Sequence, residues 1–270
     1  MSLKEAHVHV RLCRTRRGGE GLNMQTMKIR FFGSGDAFGS GGRLQSCIMA
    51  DTGRFGFLID CGATALTGMK QSGFDSSRIN AVIISHLHGD HFGGLPFLIK
   101  EIQVNGTRTE PLLVAGPDDL EFRTEQLLGL LFPGHEDVRS RFWPDFRVLH
   151  PGRTEQIGDI LVAAYPAAHS PLARPLSLRI ECCGKIIAYT GDTEWNDVIP
   201  EISRGADLLV CEAFEYRAEA GNHINYLTLL KHRRELECGR IILTHLGDTM
   251  LGRCGSLEFE CAQDGSVIEI

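Results

Sequence analysis

His86-Leu87-His88-Gly89-Asp90-His91 places four potential metal ligands within six residues, in the order His-x-His-x-Asp-His. Directly before it runs Ala81-Val82-Ile83-Ile84-Ser85, an apolar, β-branched stretch that reads as a buried strand. A strand sends alternate side chains to opposite faces, so six consecutive residues inside one cannot serve a single site. A loop at the end of the strand can. Imidazole suits zinc, iron and manganese, and the hard carboxylate adds charge and a place for a second cation. A polar surface turn that carries histidines by chance is the plain alternative. It is set aside because the rest of the chain supplies further ligands in matching places.

Three later positions share the context of a potential ligand just past a strand. His169 follows the apolar run 160–168, Asp192 follows Lys185-Ile186-Ile187-Ala188-Tyr189-Thr190-Gly191, and His245 follows Arg240-Ile241-Ile242-Leu243-Thr244. Ligands at strand ends, on loops held by a rigid scaffold, are what a preorganised site requires. With the first motif they make five imidazoles and two carboxylates, enough for two metals, with Asp192 able to bridge them.

Composition narrows the class. The chain has 270 residues, 43% of them hydrophobic, and a formal net charge of −6. That size allows one large domain or two small ones, and the charge argues against general electrostatic binding of nucleic acid. No apolar run is long enough to span a bilayer. No segment has the order of a secretory signal, so a cytoplasmic setting is expected. The nine cysteines form no CxxC pair, which argues for free thiols and against a zinc knuckle. Cys47, Cys61, Cys182 and Cys211 fall in apolar runs and read as buried small hydrophobes. Residues 1–26 look separate from the fold, basic through Arg11, Arg14, Arg16 and Arg17 and flexible through Gly18, Gly19 and Gly21. They read as a leader or added extension, with a basic arm touching nucleic acid as the alternative. Residues 27–270 read as a single domain.

Strands are expected over 28–32, 46–51, 55–60, 81–85, 112–115, 160–165, 176–181, 185–190, 207–211, 240–244 and 266–270. Helices are expected over 63–72, 93–104, 118–131, 196–203 and 225–236. Residues 132–152, with three prolines, read as irregular, a lid or rim. This mix suggests two sheets packed together with helices outside, rather than alternating βα units alone.

His-x-His-x-Asp-His, a later His169, then Gly191-Asp192-Thr193 and Thr244-His245-Leu246 resemble the metallo-β-lactamase superfamily. His86 to Pro96, with Asp60-Cys61-Gly62, is similar to its ribonuclease Z and phosphodiesterase branch. The resemblance implies an α+β fold, a four-layer αββα sandwich of two mixed sheets with the site at one edge. It implies two divalent metals, zinc first and manganese or iron as alternatives. His86, His88 and His169 would hold the first; Asp90, His91 and His245 the second; Asp192 would bridge. Two metals about 3.5–4 Å apart acidify a bridging water and clamp the oxygens of an in-line displacement, so attack of a metal-bridging hydroxide on a phosphodiester is expected. Asp90 could orient or deprotonate the nucleophile. Cys211-Glu212-Ala213-Phe214 resembles a His-Glu-Ala-Thr segment of that branch, and Asn222-His223 falls where it carries a further histidine. Glu212 and His223 are therefore candidate catalytic residues, the imidazole serving the leaving oxygen. Relatives also imply a homodimer.

The chain departs from ribonuclease Z in ways that bear on substrate. Asp60-Cys61-Gly62 continues as Ala63-Thr64-Ala65-Leu66 rather than Glu-Gly-Thr-Gln. The interval from His169 to Asp192 holds one turn and two strands, with no room for a tRNA-gripping arm. The expectation is a smaller hydrolase of a cyclic or nucleotide-type phosphodiester, acting on no membrane, with tRNA 3′ processing disfavoured. A carbonyl-ester hydrolase of lactones or thioesters is the alternative on the same metal core. The glycine-rich 33–42 could let phosphate approach backbone N–H groups, with Arg43 and Ser46 as substrate-binding candidates. Phe38, Phe92, Phe132 and Trp143 could line a base-binding rim.

Overall fold

In the computed structural model, which describes residues 26–106, 108–134, 142–218 and 221–270, hydrophobic alternation decides the layering. In β1 (Lys28–Gly33), Ile29 and Phe31 face one core and Phe32 the other. In β2 (Cys47–Asp51), Ile48 and Ala50 oppose Cys47 and Met49 in the same way. So do Phe57 and Ile59 against Leu58 in β3 (Gly56–Ile59), and Ala81 and Ile83 against Val82 in β4 (Ala81–Ile83). Period-two alternation with both faces apolar is the mark of a sheet covered on both sides.

One core lies between two sheets, and a second lies between the first sheet and α1 (Ala65–Gln71) and α3 (Leu95–Asn105). Among the described residues the first sheet has seven strands, completed by β5 (Leu113–Gly116), β6 (Asp145–Val148) and the C-terminal β14 (Val267–Glu269). The second also has seven: β7 (Arg153–Ile157), β8 (Ile160–Pro166), β9 (Leu176–Cys182), β10 (Lys185–Tyr189), β11 (Leu208–Glu212), β12 (Ile241–Thr244) and β13 (Glu260–Cys261). Its outer face packs Leu209, Cys211 and Leu243 against Ile199 and Ile202 of α5 (Val198–Ser203) and Leu229 of α6 (Tyr226–Lys231). The order helix, sheet, sheet, helix is the four-layer αββα sandwich expected from the sequence.

Strand direction then gathers the site. β3 to β6 run parallel, as do β10 to β13. β8 shares the direction of β10, because both pair antiparallel with β9. The C-terminal ends of β8, β10, β11 and β12 therefore open on one edge, where the loop after β4 of the first sheet meets them and where ligands collect in sheets of this kind.

Two expectations need correcting. Residues 132–152 are not wholly irregular: Asp145–Val148 forms β6, a short edge strand between Pro144 and Pro151 that pairs with β5. The helix expected over 225–236 ends at Lys231 and gives way to a 3-10 turn, Arg233–Glu235. Arg153–Ile157, not among the expected strands, is β7, at the edge of the second sheet. Nearly all of the leader read at 1–26 lies outside the described residues. Cys47, Cys61, Cys182 and Cys211 are buried, as expected. No helix among the described residues is long and apolar enough to cross a membrane.

Candidate metal centre

The His86–His91 loop ends in a short helix, α2 (Gly89–Phe92), pinned by the strand-end turn after β3. Cys61 N–H donates to the His91 carbonyl, and Gly94 N–H to the Cys61 carbonyl. Gly62 must be glycine, because a Cβ there would lie 2.2 Å from the Asp90 carbonyl oxygen. On the second sheet, Gly191 turns at φ 58° to deliver Asp192, a conformation that costs glycine little. His245 itself adopts φ 57°, and Asp60 φ 59°. Left-handed backbone at non-glycine residues costs energy and persists where the surroundings over-determine it; at His245, the N–H is held by the Ser34 carbonyl.

All seven sequence-nominated ligands converge. His86, His88, His169 and Asp192 form one group, and Asp90, His91, Asp192 and His245 another, each with its ligand atoms within 4.8 Å of one another. Asp192 Oδ2 lies 3.6 Å from His86 Nε2, 3.9 Å from His169 Nε2 and 3.3 Å from His245 Nε2. Its Oδ1 lies 3.3 Å from His91 Nε2. Asp90 Oδ2 is 3.1 Å from His91 Nε2 and 3.2 Å from His245 Nε2. Bonds of about 2.0–2.1 Å to a tetrahedral zinc put ligand atoms about 3.3 Å apart, the scale observed. His91 Nε2 and Asp192 Oδ1 are buried without a hydrogen-bond partner among the described residues. Buried, converging polar atoms left without a partner in this way fit a cation.

Electrostatics separates the two groups. Burial, reinforced by neighbouring histidines, lowers the pKa values of His86, His88 and His169. Their imidazoles are held neutral, the form that binds metal. Burial also opposes charge on His91, but Asp192, Asp90 and Asp60 outweigh it and raise its pKa well above the usual range. His245 is raised in the same way, by Asp192 and Asp90 against burial. Burial disfavours the charged forms of Asp90 and Asp192, yet the surrounding histidines hold both well below the usual carboxylate range.

A carboxylate that the sequence did not nominate as a site residue organises this cluster. Buried Asp60, just past β3, accepts from Ser85 N–H at 2.7 Å and Ser85 Oγ at 2.9 Å, and its Oδ2 lies 2.7 Å from His91 Nδ1. Ser85 Oγ in turn lies 3.1 Å from His86 Nδ1. Carboxylate partners behind ligating histidines fix ring orientation and raise basicity. Tyr189 O–H donates to the same Oδ2 at 2.7 Å. Burial and Asp60 raise the Tyr189 phenol well above its ordinary value, keeping it a donor. The sequence signal was available in the position of Asp60, at the C-terminal end of a parallel strand like the ligands themselves.

Glu212, the last residue of β11, is buried, and its Oε2 lies 2.9 Å from His223 Nδ1. Its Oε1 accepts from Thr193 N–H, one residue past Asp192. Burial and the nearby Asp192 raise the Glu212 pKa well above its ordinary value, and burial lowers that of His223. The pair therefore sits beside the candidate ligand groups with a proton to share. Phe214 packs on the rings of His223, at 5.1 Å, and His245, at 6.0 Å. The His169 ring is oriented by the Asn222 carbonyl, 2.8 Å from Nδ1.

Arg43 and Ser46, the substrate-binding candidates, both bond within the chain. Arg43 donates to Ser34 Oγ and to the Ala262 carbonyl, tying the glycine-rich loop to the chain after β13. Ser46 is buried, 3.1 Å from Tyr189 Oη. The loop is not an open phosphate cradle either. Asp36 accepts from Phe38 N–H and Ser40 N–H, and Gly35, Gly39, Gly42 and Arg43 donate to backbone carbonyls. A carboxylate of the chain already takes the role expected of phosphate. Of the rim aromatics, Phe92 is core, and Phe132 and Trp143 pack beside Ile99 and Leu128. Phe38 is 85% exposed.

Comparison with known proteins follows the geometry. A family model described as anti-Pycsar protein Apyc1 matches residues 27–261. The chain belongs to this Apyc1 family. Ribonuclease Z of Methanothermobacter thermautotrophicus is 24% identical over 276 residues, covering 82% of this chain and 86% of the relative. The metallo-β-lactamase fold protein YhfI of Bacillus subtilis superposes with a TM-score of 0.70 at 24% identity, covering 90% of this chain and 99% of its own. A diphosphatase of the PhnP family gives 0.72 at 18% identity, with 90% and 98% covered. At these identities the structural matches establish the fold. Family, relatives and fold place this Apyc1-family chain in the ribonuclease Z and phosphodiesterase branch of the metallo-β-lactamase superfamily, as a metal-dependent hydrolase.

Proposed function

We propose that this chain hydrolyses a small phosphodiester, cyclic or nucleotide-like, at a centre of two divalent cations, with zinc the ion that the donor set suits best. The observation that carries the reading is Asp192, shared by two ligand groups and set beside the Glu212–His223 pair. His86, His88, His169 and Asp192 would hold one cation, and Asp90, His91, His245 and Asp192 the other. Bound cations would neutralise the anionic phosphodiester and acidify a water. Asp90, ionised between His91 and His245, orients the nucleophile and accepts its proton. His223 is only partly buried, and with Nδ1 engaged by Glu212 its Nε2 is left to protonate the leaving oxygen. Acid–base help of this kind contributes about 10²–10⁴-fold.

A small substrate is favoured over tRNA by the interval between His169 and Asp192. It holds a 3-10 turn, Pro171–Ala173, then β9 and β10, and no arm. The formal charge of −6 argues the same way. The anti-Pycsar role in the family's description belongs to this proposal.

The test pairs metal content, by mass spectrometry on protein purified without added metal, with turnover of bis(p-nitrophenyl)phosphate and a panel of cyclic nucleotides. About two zinc ions per chain with turnover of both supports the reading. Two ions with hydrolysis confined to lactones or thioesters overturns the phosphodiester assignment. Cleavage of precursor tRNA in preference to cyclic nucleotides overturns the small-substrate assignment.

A further inference from the structure

Each ligand group is split between the two sheets. His86, His88, Asp90 and His91 follow β4 of the first, whereas His169, Asp192 and His245 follow β8, β10 and β12 of the second. The separation of the sheets at this edge therefore sets the ligand spacing in both groups. A side chain that crosses the gap here has leverage on the whole centre.

Tyr189 crosses it. It is the last residue of β10, three before Asp192, and its ring lies fully buried in the core between the sheets. Its hydroxyl donates to Asp60 Oδ2 at 2.7 Å and lies 3.1 Å from Ser46 Oγ, both beside strands of the first sheet. The same Asp60 oxygen is 2.7 Å from His91 Nδ1 and 2.9 Å from Ser85 Oγ, the neighbour of His86. One interior hydrogen bond thus joins the strand that delivers Asp192 to the carboxylate that orients His91 and, through Ser85, His86. A hydrogen bond in a dry interior is electrostatically stronger than the same bond in water.

We propose that Tyr189 is a positioning residue for the metal centre, its hydroxyl setting the approach of Asp192 to His91 and His86 through Asp60. The inference rests on the dinuclear reading above. Packing alone would need only the ring, which phenylalanine supplies; positioning needs the hydroxyl.

The discriminating variant is Tyr189→Phe, measured by zinc titration of metal-free protein against a competing chelator, with thermal unfolding of the metal-free form alongside. Loss of a partner behind a ligating histidine weakens metal affinity by about 10- to 100-fold. That loss is expected for the more weakly bound zinc, with metal-free unfolding little changed and turnover restored at saturating zinc. A Tyr189→Phe protein that binds two zinc ions with wild-type affinities overturns the inference and leaves the dinuclear reading standing. If Tyr189→Phe does not fold, Ser46→Ala decides, since it keeps the ring and removes the hydroxyl's second partner. Weaker zinc binding in that variant supports the inference, and wild-type binding overturns it. A wild-type chain that takes up no zinc overturns the dinuclear reading itself, and the positioning role with it.

Discussion

The two sheets furnish the candidate centre in opposite ways. The first supplies four ligands from one loop of six residues, His86 to His91, whose local spacing follows from a single strand end and a four-residue helix. The second supplies one ligand from each of three strand ends, His169, Asp192 and His245, gathered because β8, β10 and β12 run in one direction. The loop carries the inventory, and the strands carry the closure. A contiguous motif can hold its ligands near one another with little help from the rest of the fold. Dispersed ligands meet only when the sheets are packed in register. The contrast makes Asp192, alone on its strand end yet shared by both groups, the most consequential position.

Asp192→Asn is the severest break in that comparison. It is expected to leave fewer than one zinc ion per chain by mass spectrometry and to lower hydrolysis beyond the 10²–10⁴-fold range of acid–base losses. Retention of two ions would show that the loop, not the strand ends, holds the centre. His223→Ala probes the second sheet without removing a ligand of either group. Metal content should stay at the wild-type level while kcat on bis(p-nitrophenyl)phosphate falls by about 10²–10⁴-fold, and unchanged kcat would remove His223 from the chemistry.

Proton release sharpens the comparison further. His91 and His245 titrate above their ordinary range, so in the metal-free protein near neutral pH they hold protons that a cation must displace. Affinity at the group they share should therefore rise with pH until their raised pKa values are passed. His86, His88 and His169 are lowered and already neutral near pH 7, so the other group should be nearly flat there. Zinc titration calorimetry in buffers of different ionisation enthalpy checks this, and equal proton release from both loading steps would contradict it.

Arg43→Ala carries the smallest expected effect. Its contacts with Ser34 and Ala262 are structural, so KM should not change. The thermal midpoint should fall by about 2–4 °C, the shift for a loss near 1 kcal/mol in a chain of this size. A raised KM with an unchanged midpoint would return Arg43 to the substrate.

The sandwich was legible because β-branched runs such as Ala81-Val82-Ile83 and Ile241-Ile242-Leu243 bury both faces and leave a period-two record. The candidate ligands were nominated because the His86–His91 loop, His169, Asp192 and His245 each follow an apolar run. β6 and β7 were harder to read, since most of their residues are half-buried or exposed and need no apolar sequence. Arg43 and Ser46 were read toward a substrate, whereas both bond within the chain. A polar residue beside a glycine-rich loop looks the same whether it faces a substrate or a buried partner, and Arg43 found its partner 219 positions away.

The sequence by itself determined which donor atoms are present, that they stand at strand ends, and that two sheets would cover one another. Those are matters of side-chain chemistry and local backbone period. Only the tertiary structure decided that Asp36 closes the glycine-rich loop on itself, that Asp60 stands behind His91, and that Tyr189 reaches Asp60 across the core at a separation of 129 residues. Hydrogen-bond partners of this kind are set by which strand ends the packing brings together. No local periodicity encodes a contact between residues so far apart along the chain.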